Sequence, residues 1–302
     1  MIKTKQFLTK NNYFCSILFI LLLVIFLIIF VFKLKLTVKI VIIGYGTMGK
    51  TYANSFTSSR FIKPNDIYVV VKEAVNTKNE YGIPSSNFLT SLTAIEVFDI
   101  VLLAVKPQDF NTVSLQLKPY LNHNQIILSV MAGVTIATIA SKLGCTKIVR
   151  SMPNIPTQIG KGMTVFTASN YIDRKELFII QNLINTTGKS IYVENENLVD
   201  AATAISGSGP AYVFYFMNSM INAAINLGFS QSEAELLVNQ TFMGSVDLQN
   251  ASALSNKEWI AKVASKGGTT EQALKIFDEN TTESIIIKAV NAANARAIEL
   301  GS

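Results

Sequence analysis

The chain contains very little cysteine and histidine, with two Cys and one His among 302 residues. Cys15 lies in an apolar segment and Cys145 precedes a predicted strand, so neither a disulfide scaffold nor a metal site is expected. His123 lies in a polar turn, where we expect it to be solvated. Charged residues are also sparse at 15%, but 49% of the residues are hydrophobic, too many for a disordered chain. The length predicts about two globular domains of roughly 100–200 residues each.

The net charge of +6 is concentrated at the amino terminus. Five lysines and no acidic residue occur among the first 36 positions: Lys3, Lys5, Lys10, Lys33 and Lys35. Subtracting them from the 26 basic residues leaves 21 against 20 acidic ones in the remaining chain. A body this close to neutral lacks the basic footprint of a nucleic-acid-binding protein, so no nucleic-acid partner is expected.

Residues 13–32 form an uncharged apolar run in which Ser16 is the only clearly polar side chain. At about 1.5 Å per residue, a helix of this length matches the thickness of a membrane's hydrocarbon core. We predict a basic leader over residues 1–36 with a transmembrane helix at about 13–32, which anchors a cytoplasmic body. A cleaved signal peptide and a start codon assigned too far upstream are the alternatives. Lysines flank both ends, so the positive-inside rule does not orient the segment.

Apolar strands alternate with helical segments in the first half of the body. The predicted strands are Val38–Ile43, Ile67–Val71, Ile100–Val105, Ile126–Val130, Lys147–Arg150 and Met163–Phe166, the last of which is expected to close the domain. After about residue 172 the pattern is mostly helical, with one short predicted strand at 190–193 and predicted helices that include 197–205, 231–249 and 256–263. Ser230 and Glu233 predict a capping box at the start of the helix over 231–249. We predict an α/β Rossmann domain, a doubly wound parallel sheet, over residues 37–168. An all-α domain for substrate binding and dimerisation follows over residues 169–302.

A glycine-rich motif follows the first predicted strand and precedes a helix. Gly44, Gly46 and Gly49 form the pattern G-x-G-x-x-G, which in this context predicts a loop that binds a dinucleotide pyrophosphate. The predicted cofactor-binding loop comprises Ile43, Gly44, Tyr45, Gly46, Thr47, Met48 and Gly49. Lys72, the first residue past the second strand, suits the 2′-phosphate of NADPH. Glu73 follows it and keeps NADH open, and a solvated loop lysine is the alternative.

Four further segments contain turn residues, and the first two lie at the edge of the sheet where ligands bind in such folds. Ala104, Val105, Lys106 and Pro107 end the third strand, and Asn154 lies between two prolines after the fifth. Each of these segments could bind the cofactor or be a structural turn. Segments 206–212 and 262–270 place glycines and hydroxyls at helix starts, which predicts anion sites suited to a carboxylate, or else ordinary helix caps.

Taken together, the motifs resemble the pyrroline-5-carboxylate reductase family from about Val38 to Leu300. The most specific parts are Asp200–Tyr212 and Gly267–Thr270. The resemblance implies reduction of 1-pyrroline-5-carboxylate to L-proline, the last step of proline biosynthesis, by NADPH or NADH. It also implies self-association through the helical domain, as a dimer or a multiple of dimers.

The resemblance also implies roles for individual residues. Asn154 would lie near the nicotinamide, and Thr270 would be the catalytic residue that hydrogen-bonds at the ring nitrogen. The implied substrate-binding residues are Ser208, Gly209, Gly267, Gly268 and Thr269. The imine nitrogen is basic enough to arrive protonated, so hydride transfer needs positioning more than a strong general acid.

The chain departs from the family pattern at four positions. Lys266 stands where the family usually has proline, and Val71 replaces a polar residue, often asparagine. Thr47 replaces a common asparagine, and Ile155 replaces a common threonine. A β-hydroxyacid dehydrogenase or other imine reductase is the second hypothesis, although that family is expected to carry its catalytic lysine within a glycine-containing helix. A non-catalytic, membrane-tethered NADP-binding regulator is the third.

Overall fold

The computed structural model describes residues 38–72 and 80–299, and an eight-stranded sheet lies at its centre. The strands are β1 (Ile40–Ile43), β2 (Ile67–Val70), β3 (Phe88–Leu89), β4 (Ile100–Leu103), β5 (Ile126–Ser129), β6 (Ile148–Met152), β7 (Gly162–Ala168) and β8 (Gly188–Tyr192). Their order across the sheet is β3-β2-β1-β4-β5-β6-β7-β8. The chain order reverses between β1 and β4, and this is where doubly wound folds bind ligands.

The central strands are buried because their sequences are continuous β-branched and leucine runs. All four residues of β1 are buried, and β1 pairs in parallel with both β2 and β4. Ile40 lies opposite Ile67 of β2 on one side and opposite Ile100 of β4 on the other. Helices α1 (Thr47–Ser58), α2 (Phe110–Leu117) and α3 (Ile136–Leu143) connect or follow these strands. An apolar cluster packs Val101, Phe110 and Ile139 together. The predicted Rossmann architecture is therefore confirmed.

The carboxyl-terminal side of the sheet includes one reversed strand. β7 pairs antiparallel with β6, because the link over residues 153–161 is too short for a crossover helix. Helix α4 (Arg174–Asn185) then crosses to β8, which pairs in parallel with β7. The expectation that the strand at 163–166 closes the sheet domain is wrong. The predicted strand at 190–193 is present as β8 and extends the sheet to Tyr192. The domain division at residue 168 stays a prediction.

The rest of the described chain is helical. It comprises α5 (Asn197–Ala202), a π-helical turn (Thr203–Gly207), α6 (Gly209–Asn226), α7 (Gln231–Asn250), α8 (Asn256–Val263), α9 (Thr269–Glu279) and α10 (Thr282–Glu299). The capping box expected at Ser230 and Glu233 is present, and α8 begins with a second one at Ser255 and Glu258. In both boxes, hydrogen bonds from the serine lower the pKa of the glutamate.

The predicted membrane anchor at 13–32 lies outside the described residues, as does Glu73. Within residues 38–72 and 80–299, none of the helices combines the length and the apolar character needed to cross a membrane.

Candidate active site

The glycine-rich loop between β1 and α1 packs directly against the end of β4. Gly44 has a φ of +97°, and a Cβ at this position would lie 2.8 Å from the carbonyl oxygen of Ala104. The same Cβ would lie 2.9 Å from Cγ1 of Val105, and a Cβ at Gly49 would overlap the carbonyl oxygen of Gly44. The structure therefore brings two predicted cofactor segments together, the loop and the residues after β4.

The middle glycine of the loop is different because it faces open space. A Cβ at Gly46 would meet no atom within 4 Å. Gly46 is also the N-cap residue of α1. Because glycine has no side chain, no side-chain hydrogen bond caps the first turn of this helix. The amino-terminal N–H groups and the positive end of the helix dipole are suited to phosphate. This geometry fits the pyrophosphate of a dinucleotide.

A charged and aromatic cluster that no sequence motif reveals borders the same loop. Nζ of Lys50 lies 3.3 Å from Oε1 of Glu80 and 5.2 Å from the centre of the Tyr45 ring. The Tyr45 ring packs edge-on against Phe88, with 5.5 Å between the ring centroids. Burial and then the negative charge of Glu80 raise the pKa of Tyr45. No local motif joins these residues, because Glu80 is 30 positions from Lys50 along the chain.

Lys72 is exposed just beyond the carboxyl end of β2. Its neighbour Val71 is buried and donates its backbone N–H to the carbonyl oxygen of Leu89 at 2.9 Å. The side chain of Lys72 is therefore on the edge of the sheet where a ribose phosphate would bind in this fold.

Asn154 connects the end of β6 to the helical region. Its Nδ2 donates to the carbonyl oxygen of Ser206 at 3.0 Å, and its Oδ1 accepts from the backbone N–H of Met163 at 2.9 Å. The turn containing Ser206 also approaches β6 closely, because a Cβ at Gly207 would lie 2.8 Å from Cε of Met152. Ser208 and Gly209 follow Ser206 in the chain at the start of α6, so the hydrogen bond from Asn154 attaches the chain two positions before Ser208.

The segment Gly267–Thr270 forms the beginning of α9. Gly268 is the N-cap residue and provides no side-chain cap, while Thr269 and Thr270 begin the helix. The N–H of Gly267 donates to Oε2 of Glu271 at 2.6 Å, so this segment already binds one carboxylate. Thr270 lines a cavity of about 370 Å³ between α7, α8 and α9, with Trp259 and Leu274 on its walls.

Two family profiles match the chain. Residues 39–133 match NADP oxidoreductase coenzyme F420-dependent, and residues 196–300 match pyrroline-5-carboxylate reductase dimerisation. The pyrroline-5-carboxylate reductase of Aquifex aeolicus is 36% identical over 267 residues, which are 88% of this chain and 98% of that protein. The chain belongs to the pyrroline-5-carboxylate reductase family. Pyrroline-5-carboxylate reductase 2 of Bacillus subtilis is 31% identical over 271 residues, covering 87% of this chain and 95% of that protein.

Solved structures of the family have the same fold. The Plasmodium falciparum pyrroline carboxylate reductase with NADP bound matches with a TM-score of 0.79 and 29% identity, covering 88% of this chain and 98% of that one. The Coxiella burnetii pyrroline-5-carboxylate reductase matches with a TM-score of 0.81 and 31% identity, covering 88% and 99%. Family membership favours the pyrroline-5-carboxylate reductase hypothesis over the β-hydroxyacid dehydrogenase alternative.

Three of the four departures from the family pattern are exposed in this family member. Lys266 is exposed beside Gly267, Thr47 is exposed in the first turn of α1, and Ile155 is 60% exposed. Val71 is the exception, because it is buried in the sheet. None of the four removes a backbone group from the glycine-rich loop or from the start of α9.

The dimerisation region of this family member has a largely exposed apolar surface. None of the residues of α6 is buried, and Phe214 and Tyr215 are 62% and 72% exposed. Leu236 on α7 is 69% exposed. Apolar patches of this kind mark protein interfaces, which agrees with the self-association expected of the family.

Proposed function

We propose that this chain reduces 1-pyrroline-5-carboxylate to L-proline with NADPH as the hydride donor. The observation that carries the proposal is the extent of the similarity to the Aquifex aeolicus enzyme, which covers 88% of the chain. The two matched family profiles, of an NADP oxidoreductase over residues 39–133 and of reductase dimerisation over residues 196–300, support it in both halves of the chain. The NADP bound in the Plasmodium falciparum structure supports the choice of cofactor.

The reaction is addition of hydride to the carbon of a protonated cyclic C=N bond. NADPH, when bound, supplies that hydride. The ring nitrogen keeps the proton with which it arrived and becomes the amine of proline, so the protein does not have to provide a strong acid. Holding the imine carbon at the right distance and angle then accounts for a large part of the rate.

The cofactor is proposed to lie along the edge formed by the glycine-rich loop and the end of β4. The loop residues that would hold the pyrophosphate are Ile43, Gly44, Tyr45, Gly46, Thr47, Met48 and Gly49. The open space at Gly46 supports this assignment. Ala104, Val105, Lys106 and Pro107 would line the cofactor, and Lys72 would pair with the 2′-phosphate.

The substrate is proposed to bind at the start of α9 and at the turn before α6. Gly267, Gly268 and Thr269 would bind its carboxylate, and Thr270 would hydrogen-bond at the ring nitrogen. The hydrogen bond from the Gly267 N–H to the carboxylate of Glu271 supports an anion site at the start of α9. Ser208 and Gly209 would complete the substrate-binding set.

The test is pyrroline-5-carboxylate-dependent oxidation of NADPH by the full chain, with proline identified as the product. NADPH binding without turnover would instead favour the non-catalytic regulator. Replacing Lys72 by Glu is expected to raise the KM for NADPH while leaving that for NADH nearly unchanged. An unchanged ratio of the two KM values would remove Lys72 from the cofactor site.

For the amino-terminal segment we propose a membrane anchor at residues 13–32 with the catalytic body in the cytoplasm. The proposal rests on the length and apolarity of the run and on its flanking lysines. Fractionation of the native protein and sequencing of its amino terminus test it. Protein in the soluble fraction that begins near Leu36 would contradict the anchor.

A further inference from the structure

We propose that Asn154 is a positioning residue, which holds the turn before α6 in place against the end of β6. For its kinetic consequence this inference rests on the proposed function, because Ser208 and Gly209 in that region are proposed to bind substrate. The placement itself rests on hydrogen bonds across the junction between the sheet and the helical region.

The backbone of the turn creates the need for such a residue. The carbonyl oxygen of Ser206 would pair in an α-helix with the N–H of residue 210, but residue 210 is proline and has no N–H. The turn Thr203–Gly207 is π-helical instead, and the N–H of Ser208 reaches back to the carbonyl oxygen of Thr203 at 2.8 Å. Nδ2 of Asn154 provides a donor for the Ser206 carbonyl at 3.0 Å.

The other end of the Asn154 side chain is held by the sheet. Its Oδ1 accepts from the backbone N–H of Met163 at 2.9 Å, at the beginning of β7. The carbonyl oxygen of Asn154 accepts from both the backbone N–H and the hydroxyl of Thr157, at 3.1 Å and 2.7 Å. The carboxamide is therefore a short rigid link from β7 to the turn, since both of its polar atoms have backbone partners.

A second attachment, from β6 itself, holds the helix that leads into the turn. Arg150 on β6 is 1% exposed and donates from Nη1 to Oε1 of Glu196 at 3.0 Å. Its guanidinium also bonds both carboxylate oxygens of Asp200 on α5. Glu196 in turn accepts from the backbone N–H of Ile136 at 2.8 Å, which adds α3 to the network. With α5 held by Arg150, Asn154 determines the position of the next turn.

The implied family role for Asn154, proximity to the nicotinamide, makes a different prediction from a positioning role. If the side chain touches the nicotinamide, its substitution weakens NADPH binding directly. If the side chain positions the turn, its substitution loosens the bond to Ser206 and weakens substrate binding, while the pyrophosphate loop stays intact. Measuring the Kd of NADPH and the KM of the substrate therefore distinguishes the two roles.

The test compares Asn154→Asp with Asn182→Asp in the full chain. Aspartate at 154 still accepts from the Met163 N–H but places an oxygen against the Ser206 carbonyl. Asn182 is the matched control because its Nδ2 also donates to a backbone carbonyl, that of Phe178 at 2.7 Å, within α4. Amide hydrogen exchange of peptides covering residues 203–212 is measured first, followed by the KM of pyrroline-5-carboxylate and the Kd of NADPH.

We expect exchange in residues 203–212 and the KM of pyrroline-5-carboxylate each to rise about tenfold in Asn154→Asp, the size of one lost hydrogen bond. The Kd of NADPH and all values for Asn182→Asp stay within about twofold of wild type. Unchanged exchange, or a raised Kd of NADPH with an unchanged KM, overturns the proposal. If Asn154→Asp does not fold, Asn154→Ala removes both bonds without adding charge and is judged by the same criteria. Should wild type show no turnover, the proposed function fails, while the exchange measurement still decides the role of Asn154.

Discussion

The three glycines of the loop after β1 are constrained in different ways. Gly44 needs a positive φ and a close approach to Ala104, and Gly49 needs room for the carbonyl oxygen of Gly44. Gly46 needs neither, because no atom lies within 4 Å of a Cβ built there. Packing therefore explains the outer two glycines, and space for a ligand explains the middle one.

Alanine substitutions separate these two constraints. Gly49→Ala is expected to destabilise the fold by about 3 kcal/mol, because its methyl group collides with backbone and overpacking forces the helix away. Gly46→Ala is expected to change the free energy of unfolding by less than about 1 kcal/mol. It is nevertheless expected to weaken NADPH binding at least about tenfold, since its methyl group occupies the path of the pyrophosphate. Urea unfolding measures the change in stability of each variant, and fluorescence titration with NADPH measures its affinity for the cofactor. Normal NADPH affinity in Gly46→Ala would place the pyrophosphate elsewhere.

Thr270 is expected to contribute to activity through its hydroxyl group. Thr270→Ala should lower kcat/KM by about 1–3 kcal/mol of transition-state stabilisation, because the ring nitrogen loses a hydrogen-bond partner. Thr270→Ser keeps the hydroxyl and should retain most of the activity. Thr57→Ala is the control, since its hydroxyl bonds within α1, to the carbonyl oxygens of Ala53 and Asn54. Equal activity in Thr270→Ala and wild type would show that the family role does not apply at this position.

Strand β6 is the element that joins the two halves of the described chain. It carries Arg150 at a fully buried position, where a charge is tolerated only with close partners. Those partners, Glu196 and Asp200, lie 46 and 50 residues away in sequence, at the first helical segment after the sheet. The network therefore links the sheet to α5, independently of apolar packing.

Arg150→Met is expected to destabilise the protein by about 3 kcal/mol, because two carboxylates lose their buried cation while the apolar volume is kept. Lys147→Met is the matched control. Lys147 pairs with Glu176 at 2.6 Å, but both side chains are partly exposed, at 26% and 18%. Loss of this partly exposed ion pair is expected to lower the free energy of unfolding by about 1 kcal/mol or less. Urea unfolding at one fixed protein concentration compares the two variants, and equal losses would contradict a special role for Arg150.

Most elements follow from local patterns. The capping box at Ser230 and Glu233 correctly predicts the start of α7, and the predicted helix over 256–263 has the observed bounds. β3 was not predicted because two residues carry no periodic signal. The sequence predicts one helix over residues 197–205 and does not distinguish the π-helical turn, because α and π turns share the same apolar spacing over so short a segment.

At the scale of the whole molecule, the helical region is incomplete in a single chain. α6, α8 and α9 have no buried residues, although they carry many large apolar side chains. A surface of this kind is covered in an oligomer, as the matched dimerisation profile over residues 196–300 indicates.

A charge on this surface is expected to dissociate the oligomer. Phe214→Glu should shift the sedimentation coefficient at micromolar concentration towards that of a single chain, because a buried unpaired carboxylate costs several kcal/mol. Leu115→Glu provides the control, since Leu115 is 77% exposed on α2, outside the dimerisation region. If both variants sediment as wild type does, α6 is not at the interface.

The sequence by itself determined the class of fold, the glycine-rich loop and the family, because each depends on residues close together in the chain or on similarity along its whole length. The apolar runs predict buried strands, and their alternation with helices predicts a doubly wound sheet. The tertiary structure decided which distant residues meet. The link from Asn154 to Ser206 spans 52 positions and that from Arg150 to Asp200 spans 50. No local pattern encodes such pairs, since they form only when the end of the sheet and the first helical segment pack together.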